Sequence, residues 1–462
     1  MKTVEIPFQS SSIKADLPDQ VDVLSMKSPK PIPNEGAAIE SALSRPIRSR
    51  TIEEIVEAKS AQTPQAKAVI VISDNTRPVP YKGSNGIVWP IIERLHKSGI
   101  AMQDITILVA TGTHRAMTTT ELQSILDPRI FLHDISVVNH DCKDSSRLRY
   151  LGVTNRGTKV YMNARYLDAD IKILTGLVES HFMAGVSGGR KSICPGLLGE
   201  EGTYIFHGAD ILASENVRDL NLRNNPVHEE ALEVATMAGV DFIVNVTLDH
   251  RFRLTGVFAG DVVYAHEAAA NRVKEYVAIP IDTPYDIVLT HGGFVGINHY
   301  QVGKVAVVVA QALKEQGHLV VVADNTDADP VGSLNYKTVL YLLKSFGAKR
   351  FLQLIQSPDW TFIPEQWQVQ MWAKLFAKIS HDHFIYYSPQ FTTEQYQLIP
   401  GVDGNVLLDD GQPYTGSLNV VPKIFTHAIE QASNKLKNAG VDNPRIAYLA
   451  DGPYGIPQIN CP

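Results

Sequence analysis

Ala68-Val-Ile-Val-Ile-Ser73 is a short run of apolar, mostly β-branched residues that stops at Asp74-Asn-Thr-Arg-Pro78. Its length and composition predict a buried strand, and the polar residues after it predict a loop at that strand's end. Working outward, the pattern repeats. A helical stretch at 88–98 leads to DITILVA at 104–110, another follows at 119–126, and DIKILTG at 170–176 precedes a third at 228–239. Strands alternating with helices imply βαβ units and a mostly parallel sheet. After a long helical stretch at 262–276 a second series begins, with YDIVLT at 285–290, a helix at 303–315, HLVVVA at 318–323 and a helix at 336–347. The segment AIPIDTP (278–284) reads as the linker between the two series. The expected fold is α/β with two domains, 1–279 and 280–462, each a mostly parallel sheet flanked by helices. PRIAYLADGPYGIP (444–457) reads as a late strand able to join either sheet.

The chain has 462 residues, 44% of them hydrophobic and 20% charged, which suffices for more than one core. A net charge of −7 without a basic stretch argues against nucleic acid as a partner. The first residues lack the apolar core of a signal peptide and no run is long enough to span a bilayer, so the expectation is a cytoplasmic protein without membrane contact. Cys142, Cys194 and Cys461 are too dispersed for a disulfide framework or a thiolate zinc site.

In open parallel sheets ligands bind beyond the carboxyl ends of the strands. The polar motifs sit there: SDNTRP after AVIVI, TGTHR after ITILVA and GLVESH after IKILT. HGGFVGINHYQVGK follows YDIVLT, and it is expected to face the other three loops across an interdomain cleft. The densest segment runs from His181 through Ser187-Gly188-Gly189-Arg190-Lys191 to Pro195-Gly196 and His207. Ser-Gly-Gly lets backbone amides approach an anion and Arg190 and Lys191 add positive charge, although the Walker spacing is absent. The competing reading of that loop is a glycine turn with two solvated cations. Histidine is suited both to moving a proton near neutral pH and to binding a metal. His114, His181 and His207, beside Asp74, Arg77 and Lys191, together favour chemistry over structure.

These motifs, with Asn139-His140-Asp141 and Tyr300-Gln301-Val302-Gly303-Lys304, resemble in order and type those of the nickel-pincer lactate racemases and their hydroxyacid racemase and epimerase relatives. The resemblance implies an isomerase that inverts C2 of a small 2-hydroxy acid by proton-coupled hydride transfer. It implies a nickel-pincer nucleotide, a pyridinium mononucleotide with a thioamide and a thiocarboxylate, covalently attached to Lys191 and carrying Ni2+ on His207. By the same resemblance His114 and His181 are the paired acid/base residues, and Arg77 and Lys304 act on the substrate. Asp74, Arg77, Ser187, Gly188, Gly189, Tyr300 and Gln301 contact the cofactor, and enzymes that build it are implied partners. The residues themselves are compatible with this chemistry, since removing the C2 hydrogen as hydride avoids a carbanion beside a carboxylate, and two bases serve the two faces. The metal's identity is inherited from the family, and which 2-hydroxy acid is used stays open between lactate, malate, longer or aromatic acids and sugar acids.

Three rival readings remain. A nicotinamide-dependent dehydrogenase lacks its G-x-G-x-x-G after the first strand. A pyridoxal-phosphate enzyme could use Lys191 as its Schiff base. A non-catalytic anion- or hydroxyacid-binding protein would use the same loop without turnover. His381 and His383 are read as surface residues of a strand, Asp324–Asp329 as a strand-end turn lacking the calcium-loop glycine, Cys194 as simply buried, and Trp360, Trp367 and Trp372 as core or wall.

Overall fold

The apolar runs pair as strands at the places their composition marks. The computed structural model describes residues 1–9, 11–408 and 416–460. In the unit formed by residues 28–276, the strands are β1 (Ala68–Ser73), β2 (Ile105–Ala110), β3 (Ser136–Asn139), β4 (Ile171–Leu177), β5 (Phe242–Leu248) and β6 (Leu254–Gly260). They form one sheet in the order β6-β5-β4-β1-β2-β3. Every neighbouring pair is parallel except β5 with β6. Ile70, Ile72, Ile107, Val109, Ile173 and Val244 are fully buried in one core, together with Ile91, Ile92 and Leu95 of the helix Val88–Lys97. Burial on both faces explains why these strands read as unbroken apolar runs rather than as alternating ones.

The chain path through this sheet positions the site. From β1 it moves outward to β2 and β3, then returns to the other side of β1 for β4 and continues to β5 and β6. The strand order therefore reverses between β1 and β4, and at such a switch point the loops leaving the carboxyl ends diverge and open a crevice.

The second unit comprises residues 1–27 and 277–462. Its sheet runs β10 (Val402–Asp403), β9 (Phe384–Tyr387), β8 (Leu313–Val322), β7 (Tyr285–His291), β11 (Ile446–Leu449) and then an N-terminal strand, Val21–Leu24. All of these pairs are parallel.

The boundary expected at 279/280 differs from these units at the N-terminus. Residues 21–24 pair with 446–449, and the apolar face of the preceding hairpin, Val4, Ile6, Ala15 and Leu17, packs into the second unit's core. The expected linker is also structured, because Ala278–Ile281 pairs in parallel with Ile456–Ile459. The late strand adds to the second unit's sheet through Ile446–Leu449, which pairs with β7, while Ala278–Ile281 and Ile456–Ile459 form a separate two-stranded sheet. The helix expected at 303–315 is His299–Ala312, capped by Asn298, whose side chain accepts from the Gln301 amide. β8 starts at Leu313, five residues before the apolar run that marks it in the sequence.

His381 and His383 lie in a 3-10 turn rather than in a strand. The His383 ring stacks on His318 at 4.0 Å and its Nδ1 donates to the Gln316 carbonyl, so neither histidine belongs to a ligand pair with the other. Trp372 is fully buried, while Trp360 and Trp367 donate to the Gln366 side chain and the Tyr300 hydroxyl. Among the described residues no helix is long and apolar enough to cross a membrane. Cys461 and residues 409–415 of the polar stretch 380–415 lie outside the described residues.

Candidate active site

Three adjacent strands, β4, β1 and β2, deliver the motif residues to the rim where the strand order reverses. Asp74 and Arg77 follow β1, His114 follows β2 and His181 follows β4. Strands are spaced about 4.8 Å apart, so the two histidine loops leave the sheet about 10 Å from each other with the Asp74 loop between them.

Asp74 is 6% exposed and His114 59%. The His114 Nδ1 lies 2.7 Å from Asp74 Oδ2, and the other carboxylate oxygen accepts from the Thr76 hydroxyl and amide at 2.5 and 3.2 Å. Burial alone would raise the Asp74 carboxyl, but hydrogen bonds from His114 and Thr76 outweigh it and hold it below its ordinary range. A carboxylate only accepts, so His114 carries its proton on Nδ1 and presents the Nε2 lone pair. His181 is held in the opposite sense. Its Nδ1 accepts the Met183 and Ala184 amides, both at 3.2 Å, which places the proton of the neutral ring on Nε2. The tight hairpin that arranges this, Ser180–His181 against Gly185–Val186, needs a glycine at 185. There φ is +78° and a Cβ would come within 2.3 Å of the Asn221 carbonyl oxygen.

The Ser-Gly-Gly-Arg-Lys loop is committed to the protein's own framework. Ser187 Oγ donates to the Leu177 carbonyl and accepts from the Glu179 amide, and the Gly189 amide donates to Asn245 Oδ1. Gly188 and Gly189 have φ of +74° and +52°, and a Cβ at 189 would meet the His266 ring at 2.7 Å. Arg190 is fully buried, with one guanidinium nitrogen on His266 and the other on the Ala184 and Val186 carbonyls. It is therefore not a solvated cation, which argues against the competing reading of the loop as a glycine turn with two solvated cations.

Lys191 sits against the ring of Phe206, with Nζ 5.9 Å from the ring centre. Burial first, then the charges of Arg190 and Arg77, push its ammonium down to about 7. Above that pH the amine is unprotonated, the form that attacks an acyl group. Acetic anhydride labelling from pH 6 to 9 is expected to modify Lys191 with a midpoint near pH 7, whereas ordinary lysines stay protonated to about 10.4. Peptide mass analysis reads this, and a Lys191 midpoint near 10 would contradict the local electrostatics.

His207 ends the helix Glu200–Phe206. Its Nδ1 donates to the Thr203 carbonyl at 3.0 Å, placing the ring's lone pair on Nε2, and burial followed by the Lys191 charge pushes its pKa down to about 3. A neutral imidazole oriented by a backbone carbonyl is the usual form of a metal ligand. Among the described residues no group of three or more His, Cys, Asp or Glu side chains could hold a metal ion. A metal on His207 would therefore need donors from outside these side chains.

His140 is buried beneath the site. It bonds the Leu198 carbonyl and the Asn163 amide, which braces the segment between Lys191 and His207, while Asp141 caps a turn at Lys143. Asn75 and Arg115 are both tied to Glu121, whose carboxyl is held down to about 2, chiefly by Arg115.

In the second unit, Tyr300, Gln301 and Lys304 occupy the first turns of His299–Ala312, with residues 300 and 304 on one helix face. The Tyr300 hydroxyl accepts from Trp367 at 3.0 Å, and burial pushes its pKa up to about 12.

Glu179 carries no local signal of function in the sequence. It forms an ion pair with Arg77 across the β1/β4 reversal, 102 residues apart. Asn245 and His266, which fix Gly189 and Arg190, are likewise visible only once the chain is folded.

Residues 8–219 match the family profile described as the lactate racemase N-terminal domain. A lactate racemase of Lactiplantibacillus plantarum is 31% identical over 394 residues, covering 84% of this chain and 89% of that protein. The chain belongs to the lactate racemase family. A second lactate racemase, from Thermoanaerobacterium thermosaccharolyticum, is 30% identical over 383 residues, 81% of this chain and 86% of that protein. The structure of the lactate racemase apoprotein from the same organism superposes with a TM-score of 0.82 at 25% identity, covering 99% of this chain and all of that one. A Thermotoga maritima protein shares the fold, with a TM-score of 0.58 at 16% identity, over 90% of this chain and all of that one. The α/β architecture expected from the sequence is thus that of the lactate racemase family.

Proposed function

We propose that this member of the lactate racemase family is a racemase or epimerase inverting C2 of a small 2-hydroxy acid. The observation that carries this reading is the pair of histidines on the two loops flanking Asp74 and Arg77, fixed in opposite tautomers. One presents a lone pair and the other a proton. His114 Nε2 takes the hydroxyl proton in one direction, and Asp74 stabilises the imidazolium that results. His181 Nε2 gives a proton to oxygen on the other side, and the roles exchange in the reverse direction. Arg77, with its planar fork, holds the substrate carboxylate, and Lys304 is assigned to the substrate as well.

Lys191 is the attachment point and His207 the protein ligand of a nickel-pincer nucleotide, and Asp74, Tyr300 and Gln301 are assigned contacts to it. When bound, this group supplies the acceptor and donor of the C2 hydride. Ser187, Gly188 and Gly189 serve as the frame that aims Lys191, since the Ser187 hydroxyl and the Gly189 amide are engaged within the protein.

The test uses protein co-produced with the enzymes that build the cofactor. Intact-mass and metal analysis is expected to give an adduct on Lys191 with about one nickel per chain. Incubation with a panel of single-enantiomer 2-hydroxy acids is expected to yield the other enantiomer of at least one. A C2-deuterated acid should racemise without loss of label to water. Loss of the label at the rate of inversion would instead indicate proton abstraction at C2, and an unmodified, metal-free, inactive chain would favour simple anion binding.

A further inference from the structure

Glu179 is the charged residue at the β1/β4 reversal to which the reaction above gives no task. Its backbone is pinned on both sides by Ser187, the amide donating to Oγ at 3.0 Å and the carbonyl accepting from the Ser187 amide at 2.9 Å. Its carboxylate reaches across to the Arg77 guanidinium. The arginine is 34% exposed and the glutamate 41%, so the pair lies at the mouth of the crevice, open to an incoming acid. A carboxylate on Nη1 takes one of the guanidinium's donors and offsets part of its charge, so an incoming carboxylate meets a partly engaged arginine.

We infer that Glu179 is a positioning residue for Arg77 and a resident competitor for the substrate's carboxylate. It holds the guanidinium over the switch point until the carboxylate of a 2-hydroxy acid takes its place. A part-exposed ion pair is weak because water screens it, whereas two parallel N–H···O bonds to a bound carboxylate are stronger. The exchange therefore runs toward substrate, at the expense of some apparent affinity. The device also selects for charge, since a neutral amide or ester of the same acid cannot displace Glu179. This rests on the proposed reading of Arg77.

The experiment measures binding of oxamate, a redox-inert isostere of a 2-oxo acid, to cofactor-loaded enzyme by calorimetry, alongside racemisation kinetics. Glu179→Gln keeps the hydrogen-bonding shape and removes the competing charge. It is expected to lower the oxamate Kd and the substrate KM roughly two- to fivefold. kcat is expected to fall modestly, because a neutral amide oxygen holds Arg77 less firmly than a carboxylate does. In an Arg77→Ala background the same Glu179→Gln change should leave the Kd where it was, the signature of a direct coupling. A merely structural glutamate predicts looser loops and a higher Kd. An oxamate Kd in Glu179→Gln equal to or above the parent's overturns the inference while the parent's racemisation stands. A parent that racemises no 2-hydroxy acid overturns the underlying reading and this inference together.

Discussion

Lys191→Ala, produced with the cofactor-building enzymes, is expected to show the unmodified chain mass, no nickel and no detectable racemisation. The amine suits a covalent bond with the cofactor, because its lowered pKa leaves it largely unprotonated just above neutrality in a loop whose glycines and serine are packed against the protein. Removing an amine that burial already keeps largely uncharged should not destabilise the fold, so circular dichroism and the melting temperature are expected to match the parent's. The companion variant separates the two bonds. His207→Ala keeps the Lys191 amine and should retain the organic adduct while losing most of the metal. An adduct persisting in Lys191→Ala would move the attachment elsewhere and overturn the assignment.

The second large effect belongs to the paired histidines. His114→Ala and His181→Ala should each keep cofactor and metal and lose about 10²–10⁴-fold in kcat. His114 is well exposed and its truncation opens no cavity, so a drop of that size cannot come from unfolding. Asp74→Asn sharpens the test. An asparagine side chain can donate to Nδ1, which would move the His114 proton to Nε2 and remove the lone pair the reaction needs. A loss of similar order is expected with the melting temperature within a few degrees of the parent's, and racemisation at parental rates in Asp74→Asn would rule out His114 as the base.

Much of the architecture was legible because β1, β2, β4 and β7 are buried on both faces and therefore spell themselves as apolar runs. Where the chain departs from that rule the boundaries shift. β8 opens with Leu313-Lys-Glu-Gln-Gly-His318, whose polar residues hide its first half. Ala278–Ile281 contains Pro280, which reads as a breaker but is tolerated in a two-stranded pairing. Val21–Leu24 is four residues long, and nothing local announces a partner at 446–449. The site divides in the same way. His114, His181, Lys191 and His207 stand out because their residue types and strand-end positions carry chemistry. Glu179, Asn245 and His266 matter through partners far away in the chain, and only the strand order brings them together.

The placement of Val21–Leu24 has a consequence for how the protein is made. The partner of this strand, β11, is synthesised about 420 residues after it, some 20–80 s later at ordinary elongation rates. Residues 28–276 form a contiguous unit and can complete their own sheet during that interval. The second unit cannot close this edge until residues 446–449 have been made. The unit that carries Lys191 is therefore free to fold while the strand that closes the second unit's edge is still unmade.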